Sequence, residues 1–421
     1  MVRVVVTRKK LTGTVHAPPS KSQSIRAIFF GSLGRGKSTI TNLLNSPDVD
    51  VMVQTCRMFG ARIDVSGNTA EIFGVDGIPK TPDNIIDAGN SGLVLRFAAA
   101  MASLCDGYTV ITGDDSIRRN RVVQPLLEGL SGLGAMAFST RDNGHPPIVV
   151  KGRISRKDTK LSGEDSQPVS ALLMAASFIE GDSKIIVSKP GEKPWIALTL
   201  SWFDRLGILY ENFDFKKYII VGKASYEGFE FAVPGDFSSA AYPIVAALIT
   251  GSEIVIKDVD FKDPQGDKGL IDVLKRMGAI IENDTDTITV RKGGALHGMV
   301  VDINDIIDAL PLMAVVGCFA EGETRITNGA IARYKESDRI AAIVTELKKM
   351  GADIVECQDG LIVRKSDLCG AVVSSHNDHR IAMALTIAGF IADKTTIVEG
   401  VECIDKSYPQ FFIHMGIRRE C

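Results

Sequence analysis

The chain has 421 residues, of which 45% are apolar and 24% charged, with a net charge of −3. That length is enough for two cores, since domains usually run about 100–200 residues, and the charge gives no general basic field, which argues against nucleic acid or an acidic membrane as partner. Seven cysteines, scattered and without a Cys-x-x-Cys pair, point to a reducing compartment, the cytoplasm, and away from a disulfide framework or a structural zinc.

Residues 1–10 read as a strand with a basic end rather than as a signal peptide. Beyond them one pattern recurs six times at a spacing of roughly 71 residues: a small turn residue, a short β-branched strand, then a helix ending in a Met-Gly-Ala-like corner. The strands start at Gly36, Gly107, Gly181, Gly251, Gly322 and Asp393, and the corners fall at Gly60, Gly134, Gly207, Gly278, Gly351 and Gly416. The repeat predicts an α/β chain of two domains with three units each. The division near Val233-Pro234-Gly235-Asp236 gives 13–234 as the amino-terminal domain, and 1–12 with 235–421 as the carboxy-terminal one. The longest nearly uncharged helix, 309–320, is too short to cross a bilayer.

Within the first unit, Gly31-Ser32-Leu33-Gly34-Arg35-Gly36-Lys37-Ser38 satisfies the pattern of a phosphate-binding P-loop. Its context is reversed. Helical spacing over Ile25 to Leu33 precedes the glycines and the strand-like Thr39 to Leu44 follows them, whereas a P-loop needs a strand before and a helix after.

Each unit opens with a helix, at Ser20-Lys21-Ser22, Asn90-Ser91-Gly92, Ser166-Gln167-Pro168, Ser238-Ser239, Asp308 and Asp378-His379-Arg380. Ser, Asn and Asp there are ordinary caps, but Lys21 and Arg380 add charge to an already positive helix end, which makes sense if an anion binds. Lys335 and Arg339 lie four apart on what reads as one helix face, and such a like-charge pair needs something negative between the two. Glu336 and Asp338 could supply it, or a ligand could. Arg118, Arg119 and Arg121 in the loop 112–122, Arg96 one turn beyond Gly92, and Lys406 extend the set of candidate cations for a phosphate and carboxylate ligand. Asp308 reads either as a helix cap or as a partly desolvated acid. His376-Asn377-Asp378-His379 lacks a matching ligand pair for a metal and adjoins Arg380. Cys105 and Cys318 fall in apolar helical stretches and read as core.

The motifs Pro19-Ser20-Lys21-Ser22 with Arg26, Gly89-Asn90-Ser91-Gly92 with Arg96, Ser166-Gln167, Pro234-Gly235-Asp236, Lys335-Glu336-Ser337-Asp338-Arg339 and Asp378-His379-Arg380 resemble those of the 5-enolpyruvylshikimate-3-phosphate synthases. The resemblance covers essentially the whole chain. It implies a two-domain inside-out α/β barrel with six copies of a βαβαββ unit, and an active site in the interdomain cleft. It implies transfer of an enolpyruvyl group from phosphoenolpyruvate to the 5-hydroxyl of shikimate 3-phosphate, with release of phosphate, by a monomer without metal or organic cofactor. By the same resemblance Lys21, Asp308 and Glu336 are catalytic. Lys21, Gly92, Arg121, Gln167, Arg339, Arg380 and Lys406 bind phosphoenolpyruvate, and Lys21, Ser22, Arg26, Ser166, Gln167, Asp308 and Lys335 bind shikimate 3-phosphate.

The departures from the family pattern lie mostly on the acceptor side. Asp165 stands where Ser is common and places a carboxylate near the substrate phosphate. Glu192 precedes Lys193-Pro194-Trp195 where Ser is usual, though Ser188 could replace it, and Ile331 occupies a position that is often Asn. Leu93 and Phe97 replace a usual Thr and Pro after Gly92, from which weakened inhibition by glyphosate is expected. The alternatives are the sister enzyme that uses UDP-N-acetylglucosamine, whose reactive Cys is missing from 112–122, and a non-catalytic phosphometabolite-binding protein. Two carboxylates beside the cations argue against the latter, since binding a polyanion gains nothing from them.

Overall fold

A computed structural model of the chain describes residues 2–155 and 158–420, so Met1, Arg156, Lys157 and Cys421 lie outside the described residues. The chain divides into two units, one of residues 1–20 with 234–421 and the other of residues 21–233.

Each unit is organised around three helices that are buried over most of their length. In the unit of residues 21–233 these are Lys21–Leu33, Gly92–Ala102 and Ser166–Ala176; in the other they are Phe237–Thr250, Leu310–Phe319 and His379–Gly389. Gly92–Ala102, with the sequence Gly-Leu-Val-Leu-Arg-Phe-Ala-Ala-Ala-Met-Ala, is rich in strong helix formers and is buried along its entire length. A helix that is apolar all round belongs inside a core. A second set is amphipathic, as in Gly269–Arg276, which buries Leu270, Ile271, Val273 and Leu274 and leaves Lys275 and Arg276 in its last turn.

The described strands form six four-stranded sheets. In each, a short strand pairs in parallel with the β-branched strand of the repeat, which in five of the six then pairs with an antiparallel hairpin, as in Ile86–Asp87, Tyr108–Thr112, Ile148–Lys151 and Met136–Ser139. The strands alternate between a buried and a more exposed face, so that Ile40 and Ile72 enter the core while Lys37 and Glu71 stay outside. Sheets outside and apolar helices inside make the inside-out α/β arrangement. Burial of each large apolar side chain contributes about 1.5–3 kcal/mol. Phe30, stacked on Trp202 at a centroid distance of 5.4 Å, and Phe97, edge-on to Phe29 at 5.3 Å, are among the largest.

The six helix corners expected from the repeat all take the left-handed backbone that glycine adopts without a Cβ penalty, with φ from +60° at Gly416 to +111° at Gly278. The glycine-rich segment 31–38 joins helix Lys21–Leu33 to strand Lys37–Thr41, the reverse of a P-loop.

Three strands leave their neighbours in sequence. Thr12–His16 precedes helix Lys21–Leu33 but pairs in parallel with Glu253–Lys257, and Glu230–Ala232 takes the corresponding place beside Lys37–Thr41. Arg3–Val6 inserts antiparallel between Thr396–Glu399 and Arg419–Glu420, completing the sixth sheet. The boundary expected at residue 13 therefore moves to Lys21, because residues 12–16 are hydrogen-bonded into the unit that holds the carboxy-terminal half.

Candidate functional site

In the unit of residues 1–20 and 234–421, the candidate residues gather around Arg339. This side chain is 2% exposed and opens helix Arg339–Lys349. It donates from Nε to Asp378 Oδ2 at 2.8 Å, from Nη1 to Asp308 Oδ1 at 2.7 Å and from Nη2 to Glu336 Oε2 at 2.7 Å. Arg380 donates to the other Asp308 oxygen at 3.0 Å and to Ser238 Oγ at 2.7 Å, and Lys406 Nζ donates to Glu336 Oε1 at 2.9 Å. Sequence-distant segments thus place Asp308, Lys335, Glu336, Arg339, Arg380 and Lys406 in one electrostatic set, with Asp378 as a further member.

The charges decide the protonation states. Burial by itself would raise the pKa of Asp308, but Arg380, Arg339 and Lys335 outweigh it and Glu336, and hold the carboxyl well below the usual range. Burial works against the charged form of Arg339 too, and Asp378, Glu336 and Asp308 overcome it, raising its pKa well above the ordinary arginine value. Asp308 stays ionised although only 24% of its side chain is exposed.

Two expectations about these residues need correction. Asp308 is not a helix cap: it lies in the 3-10 turn Asn304–Ala309, its carboxylate is turned to the two arginines, and helix Leu310–Phe319 starts after Ala309 without a side-chain cap. Asp378 is the capping acid instead, accepting from Arg380 N at 2.9 Å. Lys335 and Arg339 do not share a helix face, because the 3-10 turn Ala330–Tyr334 ends before Lys335 and the helix begins only at Arg339. Both nevertheless act on the Asp308 carboxylate.

In the unit of residues 21–233 the candidates form a second cluster. Gly92, first residue of the helix capped by Ser91, leaves a notch beside three polar groups. A Cβ there would lie 3.0 Å from Arg96 Nη1, 3.3 Å from Gln167 Oε1 and 3.4 Å from Arg121 Cζ. Gln167 Oε1 is buried without a hydrogen-bond partner, an acceptor that a ligand donor can satisfy. Arg121 is 3% exposed, whereas Arg118 and Arg119 belong to a short helix, Asp115–Asn120, and pair with Asp115 at its surface. The expected loop 112–122 is therefore partly helical, and only its last arginine joins the cluster. Lys21 lies at the start of its helix with Nζ 3.4 Å from Asp48. Ser22 follows it, its carbonyl accepting from Arg26 Nη1 at 3.2 Å. Arg26 is buried, donates to Thr199 Oγ1 and Trp195 O, and sits over the Phe97 ring.

Both acidic departures of the acceptor side are accommodated by the start of helix Ser166–Ala176. Asp165 caps it through Gln167 N at 3.1 Å and accepts from Arg96 Nη2 at 3.0 Å. Glu192 accepts from the backbone N of Ser166 at 3.0 Å and from its hydroxyl at 2.7 Å. Ser188 instead donates to Leu161 O, and Ile331 packs against the core of the other unit.

Sequence reasoning missed two members. Asp48, partner of Lys21, looks like an ordinary acid in the first turn of helix Pro47–Met58. Asp378 as hub of Arg339 was hidden by its equally good reading as a cap. Cys105 and Cys318 are buried as expected. Among the described residues no group of three or more His, Cys, Asp or Glu could hold a metal ion, and His376 is engaged with Glu346 at 2.7 Å.

Residues 5–415 match the family model of EPSP synthase (3-phosphoshikimate 1-carboxyvinyltransferase). The chain is 43% identical over 406 residues to a 3-phosphoshikimate 1-carboxyvinyltransferase of Ruminiclostridium cellulolyticum, covering 96% of each chain. It is 43% identical over 416 residues to one of Methanococcus maripaludis strain C6, covering 97% of this chain and 96% of the other. In three dimensions it is similar to an EPSP synthase of Acinetobacter baumannii, with a TM-score of 0.83, 27% identity and full coverage of both chains.

Proposed function

Since the chain belongs to the EPSP synthase family, we propose that its two clusters of cations and carboxylates serve one reaction. That reaction is transfer of the enolpyruvyl (1-carboxyvinyl) group of phosphoenolpyruvate to the 5-hydroxyl of shikimate 3-phosphate, releasing phosphate, in the shikimate pathway of aromatic biosynthesis. The observation that carries the residue roles is the Arg339 guanidinium shared by Asp308, Glu336 and Asp378. A site that only held a polyanion would be weakened by those acids, whereas an addition followed by an elimination needs groups that give and take protons.

In the addition, the acceptor hydroxyl oxygen bonds to C2 of phosphoenolpyruvate while C3 takes a proton. The tetrahedral centre then loses a proton from C3 as the bond from C2 to the phosphate oxygen breaks. Asp308, ionised, accepts from the acceptor hydroxyl. When substrate anions occupy Arg339 and Arg380, less positive charge remains to depress its pKa, so its affinity for the hydroxyl proton rises. Glu336, between Arg339 and Lys406, exchanges the C3 proton, and Lys21 stabilises charge that develops in the transition state.

Lys21, Gly92, Arg121, Gln167, Arg339, Arg380 and Lys406 hold phosphoenolpyruvate in this proposal. Lys21, Ser22, Arg26, Ser166, Gln167, Asp308 and Lys335 hold shikimate 3-phosphate, mainly on the unit of residues 21–233. The protein acts as a monomer in the cytoplasm, which gel filtration checks against the chain mass of 45.3 kDa. The roles are tested by Lys21→Ala and Glu336→Gln in an assay of phosphate release from both substrates. Loss of turnover by at least about a hundredfold is expected for each, and wild-type rates in either variant would remove that residue from the mechanism.

A further inference from the structure

Glu192 is an unusual residue for its place. It is 1% exposed, its backbone is left-handed at φ +47°, and it ends the turn that leads into helix Lys193–Leu206. A side chain with a Cβ adopts that backbone only at a cost, and a carboxylate leaves water only when it is strongly held. What it grips is the start of helix Ser166–Ala176, where the backbone N–H and the hydroxyl of Ser166 both donate to Glu192 Oε2, at 3.0 and 2.7 Å. Asp165 caps a different N–H of this helix, that of Gln167, and Glu192 takes the N–H of Ser166. Two donors and the positive end of an 11-residue helix therefore form an anion site with the chain's own carboxylate seated in it.

We propose that Glu192 is a specificity-determining residue, a built-in competitor that occupies the Ser166 anion position and must leave it before an acceptor's phosphate can bind there. This rests on the assignment of Ser166 to shikimate 3-phosphate made above. The two donors cannot satisfy a carboxylate and a phosphate together, and two anions at one helix end repel. Glu192 consequently weakens binding of the phosphorylated acceptor and leaves phosphoenolpyruvate, assigned to the Gly92 notch, unaffected.

The test compares wild type with Glu192→Gln, which keeps the shape and an acceptor but removes the charge, and Glu192→Gly, which suits the left-handed backbone and empties the position. Steady-state phosphate release is measured against each substrate. A fall of about tenfold in KM for shikimate 3-phosphate, larger for Gly than for Gln, with KM for phosphoenolpyruvate unchanged, is the expected result. A merely structural Glu192 would move both KM values or raise the acceptor's. An unchanged or raised KM for shikimate 3-phosphate in both variants overturns the proposal while wild-type turnover keeps the assignment of function. No turnover of shikimate 3-phosphate by wild type or variants overturns both.

Discussion

Asp308 Oδ1 accepts a hydrogen bond from Arg339 Nη1 at 2.7 Å, across 31 positions of sequence, while its second oxygen accepts from Arg380 at 3.0 Å. One carboxylate thus holds two buried arginines from different helices, and both arginines hold it ionised.

Replacing it has a measurable pH signature. The folded pKa of Asp308 is depressed below its unfolded value of about 3.9, so its contribution to stability is fully present at pH 7 and fades as pH falls through and below about 4. Urea unfolding at pH 7 and near pH 3.5 should show a smaller loss of stability on acidification in Asp308→Asn than in wild type. At pH 7 the variant should be less stable by about 1–3 kcal/mol, since it leaves two buried arginines short of a partner. An equal acid dependence in both proteins would show that Asp308 is not held ionised by the arginines.

Arg339→Lys preserves the charge and removes the fork. Lysine offers a single ammonium where the guanidinium now reaches three carboxylates. Stability should drop by about 2–4 kcal/mol, with turnover near background, as read by thermal unfolding and the phosphate assay. A variant with full stability and activity would contradict the hub role.

Gly92→Ala probes the notch without disturbing the helix. The added methyl group meets the ends of flexible side chains rather than backbone, so the stability change should stay within about 0.5 kcal/mol. KM for phosphoenolpyruvate should rise about tenfold, because a methyl group standing where a ligand oxygen fits forfeits its hydrogen bonds. An unchanged KM would place that substrate elsewhere.

Leu93 and Phe97 bear on inhibition. Phe97 is fully buried against Phe29 and under Arg26, and Leu93, next to Gly92, is 8% exposed. Glyphosate should inhibit more weakly than in family members with Thr and Pro at these positions. Inhibition competitive with phosphoenolpyruvate at low micromolar concentration would contradict this.

The fold was legible where residues dictate local geometry. The six glycine corners announce left-handed backbone, and each unit opens with the expected helix or the turn before it. The exchange of strand Thr12–His16 was not legible, because nothing in its side chains tells which edge will accept their hydrogen bonds. In the site, the cations at helix starts stood out since they oppose the helix dipole. Asp308, Lys335 and Glu192 were harder, for each depends on a partner far along the chain. Asp308 resembles a cap until Arg339 and Arg380 are placed beside it, and Glu192 resembles a lost serine until its carboxylate is found on Ser166.

Phosphate release from phosphoenolpyruvate, with shikimate 3-phosphate and UDP-N-acetylglucosamine supplied separately, is the most direct measurement. Release with shikimate 3-phosphate alone, with loss of the 5-hydroxyl and gain of the enolpyruvyl ether in the product, is the predicted result. Release with the nucleotide sugar, or with neither acceptor, would contradict the proposed reaction.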